Sequence, residues 1–500
     1  MTRTRSALTA VILLAAATPA SAQPDGALWA PSGANAISLA INKVDPAGRL
    51  ITSFVIPSFS PFGVATDAFG NGWFGSGTAA STRVARVDVL GNVTGTFTCA
   101  AWPQSVAGDA SGNLWLACRT GLSVQKMDGA GNVLTTTPLP GGAIPIGIIV
   151  DQQGNVWASE FGLSTSTTHS MFKLDPTGTI IGTFPFGPNA TPTFGFNYPS
   201  VDLNNDIWVV NQARASVLQL NSAGGLINET PLGSTAGRGS QHDSLNFTWL
   251  AIQGFAGRAV KMDQNGTIVA SIPPPPNTPS LSFTTCAIDG FGDPWVFAFT
   301  TTSTGRALKL WQVDGTILTS VTIPAGHSAY SGDAAGMHLA ANLLPAGDFD
   351  NDTFANLAEF VAGTNPMRAD STPLRPLPIQ HGLPVVGTTV RLGLRLRSDA
   401  GLNYVMGASF GSVPGIALPD SRVIPLNVDA LLLLSLTTPA LFGNFQGALN
   451  ATGDALAQVN VPGDPNLVGL TFFVAWVSLD PAAPSGIRHI SNAHSLTIQP

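Results

Sequence analysis

A motif of Asp, two variable residues, Gly, Asn, one variable residue and Trp, or a close variant of it, recurs along this chain, with 41 to 51 residues between successive tryptophans. Its copies end at Trp29 (a shortened copy), Trp73, Trp115, Trp157, Trp208, Trp249 and Trp295. A repeat of about 40 to 50 residues is typical of β-propellers, in which each repeat forms one four-stranded blade. Seven tryptophans therefore predict seven blades, and their fixed place in the repeat favours packing between blades over ligand binding.

A second motif alternates with the first and reads Lys, Arg or Gln, an apolar residue, Asp or Asn, two variable residues and Gly. Full copies begin at Lys43, Arg86, Lys126, Lys173, Gln219 and Lys261, and a shortened copy begins at Gln312. In both motifs the Asp or Asn side chain can accept hydrogen bonds from the following amides, and the Gly can adopt the positive φ of a hairpin turn. Two hairpins in each repeat predict four strands.

The two ends of the repeat region complement each other. The first copy lacks its opening strand, whereas the DAAGMHL segment from Asp333 repeats the first motif with Leu339 at the tryptophan position, and no second motif follows. We predict that the strand before Asp333 completes the blade that begins at Trp29, which removes the open sheet edges of the ring. The propeller then covers residues 23–341.

The N-terminus has the features of a secretory signal peptide. Two arginines precede an apolar stretch, and the small residues Ala20, Ser21 and Ala22 form a cleavage site, so residues 1–22 are predicted to be removed on export. No apolar run is long enough to span a membrane. We expect a secreted protein that is extracellular, attached to the cell surface or periplasmic, and monomeric.

Charge and cysteine content narrow the function further. The net charge is −7 and no basic run is present, which argues against a nucleic-acid partner. Three cysteines, Cys99, Cys118 and Cys286, are too few for a disulfide framework. The sequence leaves a single disulfide between Cys99 and Cys118 as an alternative to free thiols.

The Gly-Asn-x-Trp hairpin followed by the Lys-apolar-Asp-x-x-Gly turn resembles the NHL and streptogramin-lyase (virginiamycin B lyase) propellers over residues 24–341. In the lyase branch, the resemblance implies an elimination catalysed at the central channel by a His or Glu base beside a divalent metal. The candidate acid and base residues are Glu160, His242 and His327. His169, His338 and Glu229 are the other His and Glu residues of the propeller region.

The segment after the propeller has the ligand spacing of a calcium loop. Its positions 1, 3, 5, 7, 9 and 12 are Asp348, Asp350, Asp352, Phe354 (through its carbonyl), Asn356 and Glu359. The segment resembles the calcium loops of dockerins and thrombospondin type 3 repeats over some twenty residues, and it predicts one structural calcium ion. Position 6 is Thr353 where Gly is usual, so the affinity is expected to be reduced. The alternative is an acidic segment that binds no metal.

The calcium loop and a short helix at about residues 355–362, capped by Gly363, make up the predicted unit 342–363. Residues 364–378 are rich in Pro, Thr and Ser and predict a linker. Short apolar runs separated by turns from residue 379 to 500 predict a β-sandwich, which resembles a C-terminal domain of secreted bacterial proteins. In that domain Asp429, Asp454, His489 and His494 are expected to be turn or surface residues.

The sequence thus predicts an all-β protein: a seven-bladed β-propeller with a C-terminal β-sandwich, joined by a short calcium loop-helix. Two functions remain. The first is a secreted, non-catalytic binding or scaffolding protein that contacts a polymer, a surface or another protein. The second is a streptogramin-lyase-like enzyme acting at the propeller channel.

Overall fold

The computed structural model describes residues 25–32, 40–78, 81–162, 168–187, 195–233, 237–253, 257–276, 282–299, 305–324 and 332–500. The predicted signal peptide and the candidate base His327 lie outside these residues. Within them the protein is almost entirely β-structure, with two short α-helices.

Strands β1–β27 form seven consecutive antiparallel sheets, which are the seven predicted blades. Their bounds are as follows: blade 1, β1 (Leu28–Ser32), β2 (Ala40–Val44), β3 (Leu50–Val55); blade 2, β4 (Pro61–Thr66), β5 (Gly72–Ser76), β6 (Arg83–Val87), β7 (Val93–Thr98); blade 3, β8 (Pro103–Gly108), β9 (Leu114–Cys118), β10 (Ser123–Met127), β11 (Val133–Pro138); blade 4, β12 (Pro145–Val150), β13 (Val156–Glu160), β14 (His169–Leu174), β15 (Ile180–Phe186); blade 5, β16 (Ser200–Val201), β17 (Ile207–Asn211), β18 (Ser216–Leu220), β19 (Leu226–Pro231); blade 6, β20 (Gly237–His242), β21 (Thr248–Ile252), β22 (Arg258–Met262), β23 (Ile268–Ile272); blade 7, β24 (Ser282–Ile288), β25 (Pro294–Phe299), β26 (Gly305–Leu310), β27 (Ile317–Ile323). Short 3-10 turns at Pro140–Gly142 and Gln212–Arg214 interrupt the connections.

The first motif closes the hairpin between the first and second strands of a blade. In blade 2, Asp67 Oδ1 accepts hydrogen bonds from the amides of Phe69 (2.9 Å) and Asn71 (3.0 Å), and Asp67 Oδ2 accepts one from the indole N–H of Trp73 (2.9 Å). The same Asp–Trp bond, 2.7 to 3.3 Å long, recurs in blades 3 to 7. One carboxylate therefore forms the turn and also pairs the only polar atom of a buried tryptophan.

In every blade except blade 5, which has Gln219 at the cation position of the second motif, a cation joins the blade to the next one. Four of the five lysines of the chain begin copies of this motif. In blade 7 the equivalent residue is Lys309, which pairs with Trp295 as Lys261 pairs with Trp249, and not Gln312, where the sequence placed the shortened copy.

The Lys126 ammonium lies 4.9 Å from the Trp115 ring centre and donates to the Pro176 carbonyl of blade 4 (2.9 Å). Lys309 of blade 7 makes the equivalent bond to the Pro46 carbonyl of blade 1 (2.9 Å). Because this bond links the last blade to the first, the ring is closed.

The glycine of the same motif packs against the preceding blade. Gly48 of blade 1 has a φ of +97°, and a Cβ atom there would lie 2.9 Å from Thr319 of blade 7. At the chain end, the Trp29 amide donates to the Ala334 carbonyl (2.9 Å), so the returning chain lies beside β1 at this point. The segment just before it, 325–331, lies outside the described residues.

The propeller has two different ends. Both motif turns lie at one end, which we call the turn face. The connections from the second to the third strand of each blade, and from one blade to the next, lie at the other end, the loop face. The turn face carries nearly all the acidic residues of the propeller because Asp forms the turns.

The C-terminal part has the predicted sandwich arrangement, with sheets β28–β29–β35–β33 and β34–β30–β36–β37, β38 pairing with β36, and a separate hairpin β31–β32. Its elements are α1 (Asn356–Ala362), β28 (Ile379–His381), β29 (Thr389–Arg395), β30 (Asn403–Ser409), β31 (Ile416–Ala417), β32 (Val423–Ile424), α2 (Ala430–Thr437), β33 (Phe442–Gly443), β34 (Gln446–Ala448), β35 (Asp454–Asn460), β36 (Thr471–Leu479), β37 (Ile487–Ile490), β38 (His494–Thr497) and 3-10 turns at Arg397–Asp399, Pro465–Leu467 and Pro484–Gly486. Side chains of both sheets, such as Leu394 and Trp476, share one buried core.

The sandwich rests on the turn face of blades 7 and 1. The Gly382 amide donates to the Ala47 carbonyl (2.8 Å), and Leu377 is buried against Phe291. A buried group of charges, here called the interface charge cluster, fixes this contact. Its members are Asp289, Asp293, Lys309, Arg395, Arg397 and Asp454.

Candidate calcium site and central channel

The predicted calcium loop brings three carboxylates together. Oxygen atoms of Asp348, Asp350 and Asp352 all lie within 4.8 Å of one another. The loop curls around Asp348, whose carboxylate accepts the amides of Asp352 (3.1 Å) and Thr353 (3.0 Å). The alternation of Asp with other residues places successive carboxylates on the inside of this curl.

Two acidic side chains at this site are buried without a hydrogen-bond partner in the described residues. Asp350 is 7% exposed and Glu359 is 0% exposed, and none of their carboxylate oxygens has a hydrogen-bond partner in the described part of the chain. Burial and the neighbouring Asp352 raise the pKa of Asp350 to about 7, and burial and Asp350 raise the pKa of Glu359 to about 9. Such a cluster fits a hard cation with oxygen ligands, because the cation would neutralise charges that water cannot reach.

Thr353 and Asn356 contribute to the backbone conformation of the loop. Thr353 adopts a φ of +81°, the conformation that its β-branched side chain was expected to resist. The Asn356 amide accepts a hydrogen bond from the Phe349 amide (3.0 Å) and donates to the Leu344 carbonyl (2.9 Å), so this side chain braces the loop from inside. The ligand roles of Asn356 and of the Phe354 carbonyl stay predictions.

A helical segment closes the turn-face end of the channel. Residues 337–343 are helical, with a π-helical turn at Leu339–Leu343. His338 Nε2 lies 2.9 Å from the Val150 carbonyl of blade 4, and Asn342 accepts a hydrogen bond from Gln152 (2.8 Å). We call residues 333–343 the plug.

The plug contacts the inner strands of the whole ring. Thr66 of blade 2 donates to the Asp333 carbonyl (3.0 Å), and Trp29 of blade 1 to Ala334. Residues of the other five blades line the remaining space around it: Val106 and Ala107, Ile149, Val201 and Leu203, Gln241 and His242, and Ile288. The spaces beside the plug measure about 20 and 10 Å³, which is little more than one water molecule each.

The sequence expectation for this segment was wrong in one respect. Leu339 was predicted at a blade tryptophan position, but it begins the π-helical turn. The physical reason is that β1 already occupies the second-strand position of blade 1, so the chain after Asp333 has no strand to pair with and turns across the channel.

Helix α1 begins within the calcium loop and packs against the plug. It spans Asn356–Ala362 and ends at Gly363 with a φ of +85°, as the sequence predicted. Phe360 of α1 is buried against the plug beside Met337 and Ala341. Glu359 and Phe360 are neighbours on α1, so this one helix carries both the last ligand position of the predicted calcium loop and a contact with the plug.

The histidines at the turn-face end are buried. The His242 ring lies 2.9 Å from the Ser200 hydroxyl and 3.2 Å from the Thr248 hydroxyl. Burial lowers the pKa of His242 to about 3 and that of His338 to about 4. Both rings are therefore neutral at physiological pH; His242 lies beside the plug, and His338 belongs to it.

Glu160 lies at the opposite end of the propeller. It ends β13 on the loop face, whereas His242 ends β20 on the turn face. Its carboxylate accepts the Ser170 amide (2.8 Å), and burial raises its pKa. His169 is on the same face but is 0% exposed. The structure thus does not bring Glu160 and His242 together, and His327 lies outside the described residues.

Apolar and aromatic side chains of three blades meet at the loop-face end of the channel. Phe62, Ile146 and Tyr198, which come from blades 2, 4 and 5, are buried against one another. The Gln104 amide of blade 3 donates to the Tyr198 hydroxyl (3.3 Å). In the described part of blades 2 to 5, side chains of the protein itself therefore occupy this end of the channel.

The remaining candidates have structural partners. Asp429 caps α2 by accepting the Leu432 amide (2.9 Å), and Asp454 belongs to the interface charge cluster. His489 lies 2.9 Å from Asp399, and His494 lies 3.0 Å from Gln380.

The three cysteines are buried free thiols. Cys99 and Cys118 share one apolar cluster, and burial raises their pKa values to about 11 and 12. Neither thiol is therefore ionised at physiological pH, which does not favour a nucleophilic role.

No protein-family model matches the sequence. No curated protein is significantly similar to it. Among solved structures, it is similar to virginiamycin B lyase from Staphylococcus aureus (12% identity, 66% of this chain and 90% of that chain, TM-score 0.44). It is also similar to a streptogramin B lyase (18%, 56% and 87%, 0.43) and to a putative 6-phosphogluconolactonase from Bacteroides fragilis (13%, 61% and 97%, 0.48). Identities this low carry no activity to this chain.

None of the helices in the part of the chain that the structure describes has the length and apolar composition needed to span a bilayer.

Proposed function

We propose that this chain is a secreted, non-catalytic binding or scaffolding protein. The observation that carries the proposal is the plug, which fills the turn-face end of the channel and leaves about 20 and 10 Å³ beside it. A channel enzyme needs a cavity that admits its substrate and an acid and a base within reach of one atom. Here Glu160 and His242 lie at opposite ends of the propeller.

The proposal includes one structural calcium ion in the loop 348–359. Asp348, Asp350, Asp352 and Glu359 would supply carboxylate oxygens, and Phe354 and Asn356 would complete the set as the spacing predicts. The two buried, unpartnered carboxylates support this assignment. An ion held by these protein oxygens leaves no open position for a substrate, so its role is to stabilise α1 and, through Phe360, the plug.

Secretion is part of the proposal and rests on the signal peptide at residues 1–22. Protein sequencing of the exported product from the native host tests it. The mature N-terminus is expected at Gln23, and a product retained in the cytoplasm with its first residues intact would contradict it.

The experiment that tests the absence of catalysis is a turnover assay with a cyclic depsipeptide streptogramin, followed by mass spectrometry. Mature wild-type protein in calcium and magnesium is expected to leave the ring intact. Ring opening that is lost in both Glu160→Gln and His242→Ala would overturn the proposal in favour of a lyase. A catalytically unrelated variant, Arg49→Gln, serves as the matched control.

A further inference from the structure

The charges of the propeller are segregated between its two ends. Outside the turn-face motifs the propeller has six arginines, and all six lie at strand ends on the loop face: Arg83, Arg119, Arg214, Arg238, Arg258 and Arg306. The acidic residues at that end are Glu160 and Glu229. The overall charge of the protein is −7, so the loop face is positive on a negative protein.

Few of these arginines are neutralised by the protein. Arg214 pairs with Glu229 (3.2 Å). Arg83, Arg119, Arg258 and Arg306 have no carboxylate within 4 Å in the described ranges. The internal segments outside those ranges contain no Asp or Glu in their sequence. An acidic partner for these arginines must therefore come from another molecule.

Three side chains hold the Arg119 guanidinium in place. The guanidinium lies 4.8 Å from the Trp102 ring centre and 4.6 Å from that of Phe161. It donates to the Gln104 side-chain oxygen (3.0 Å), and the Trp102 indole N–H is fixed on the Ser76 carbonyl (2.5 Å). Burial lowers the pKa of Arg119, which means that its charge is partly desolvated without a counter-ion.

The contacts of the sandwich leave the loop face free in the part of the chain described. Gly382 contacts Ala47, Arg391 donates to the Leu318 carbonyl (3.0 Å), and Arg395 pairs with Asp293 (2.7 Å). All three propeller residues belong to the turn face. The positive end of the ring is thus the one directed away from the C-terminal domain.

We propose that the loop face binds an anionic polysaccharide, whose carboxylate or sulfate groups pair with the arginines around the ring and one of whose sugar rings lies against Trp102. Guanidinium groups bind both anions in bidentate geometry. The arginines belong to blades 2, 3, 5, 6 and 7, and a repeating polyanion can reach several of them at once, whereas a compact ligand cannot. The inference rests on the proposed binding function and names its ligand class.

The test measures binding of calcium-loaded mature protein to three probes by isothermal titration: hyaluronan (carboxylate), dextran sulfate (sulfate) and neutral dextran of matched length. Binding to at least one anionic polymer, but not to dextran, is expected, and it should weaken as salt is raised. Arg119→Gln and Arg83→Gln are each expected to weaken it roughly tenfold, because each removes a charge-assisted contact. Arg49→Gln, an exposed arginine of the turn face, should bind as tightly as wild type.

The outcomes distinguish a wrong polysaccharide assignment from a wrong binding function. Equal binding of dextran, no binding of either polyanion, or tighter binding of poly-glutamate or a DNA oligonucleotide would overturn the polysaccharide assignment. If a polymer binds but both loop-face variants bind it as wild type does, the site is elsewhere and the binding function stands. If Arg119→Gln perturbs folding, Arg83→Gln still tests the proposal, because the Arg83 guanidinium donates only to exposed carbonyls.

Discussion

The interface charge cluster and the calcium loop are two groups of buried carboxylates that differ in how their negative charge is balanced. In the interface charge cluster, three aspartates meet three cations. Asp293, for example, lies 2.7 Å from Arg395 and 3.1 Å from Lys309. In the calcium loop, four carboxylates meet no Lys or Arg within 4 Å in the described residues. The first group therefore has its counter-ions within the chain. The second has none in the described residues, and in our proposal calcium from solution supplies the missing charge.

The largest effect is expected from removing a cation of the complete cluster. Arg395→Ala leaves Asp293 and Asp454 buried with fewer partners, and loss of one member of a buried ion pair costs about 3 to 5 kcal/mol. Denaturant unfolding monitored by tryptophan fluorescence measures it. Arg49→Ala, which breaks an exposed pair with Asp45, should cost less than about 1 kcal/mol. Equal effects in the two variants would mean that the interface charge cluster contributes no more than a surface pair.

Calcium is expected to have the next largest effect, and only on the second group. At a calcium concentration of about one hundred times Kd, binding should stabilise the wild type by about 2.7 kcal/mol. Glu359→Gln should reverse the order. Without calcium it should be more stable than wild type, because the wild-type carboxyl must take up a proton to be buried and the amide need not. With calcium it should be less stable. Thermal unfolding with calcium or with EGTA measures both states.

The control for calcium is Asp370→Asn, which changes an exposed carboxylate paired with Arg368 outside the loop. It should keep the full calcium response. A wild type whose thermal midpoint is the same in calcium and in EGTA would remove the distinction between the two groups.

The pH dependence should have opposite signs in the two groups. Glu359 and Asp350 have folded-state pKa values raised to about 9 and 7 by burial and by the neighbouring carboxylates. The folded protein therefore holds protons that the unfolded chain releases above about pH 4, so the stability of calcium-free protein should fall as pH rises from about 5 to 9. The slope is at most about 1.4 kcal/mol per pH unit for each group.

The opposite sign is expected at acidic pH. Burial alone would raise the pKa of Asp293, but Arg395 and Lys309 outweigh it and hold this pKa well below its usual range. The stability that Asp293 contributes is present above its unfolded-state pKa of about 4 and is lost as pH falls below it. Urea unfolding from pH 3 to 9 with EGTA checks both windows, and saturating calcium should abolish the alkaline slope only.

The smallest effect concerns the backbone of the calcium loop. Thr353→Gly relieves a β-branched residue at a φ of +81° and should stabilise the loop by about 0.5 to 1 kcal/mol, with a matching gain in calcium affinity. Thr353→Ala, which removes the branch but keeps a Cβ, should gain less. A calorimetric calcium titration distinguishes them, and a loss of affinity in the glycine variant would show that Thr353 is needed for another reason.

Much of the fold followed from residues close together in sequence. The Asp67–Trp73 hydrogen bond spans six residues and the turn glycine lies inside the same hairpin, so each blade could be counted from its own motif. The convergence of Asp348, Asp350 and Asp352 was equally predictable, because these residues lie within five positions of one loop. Calcium binding itself stays a prediction. The plug was missed because its sequence from Asp333 repeats the blade motif.

The local units follow from the sequence: seven blades, a loop with alternating carboxylates, and a sandwich. Which charges meet and which spaces stay open depends on how these units pack together. Asp293, Arg395 and Asp454 come from segments about a hundred and sixty residues apart at most, and only packing of the sandwich on blade 7 brings them together. The plug lies in the channel because β1 fills the strand position that its motif would otherwise take. Occupancy of a site by another part of the chain is a property of the whole fold, and no local pattern contains it.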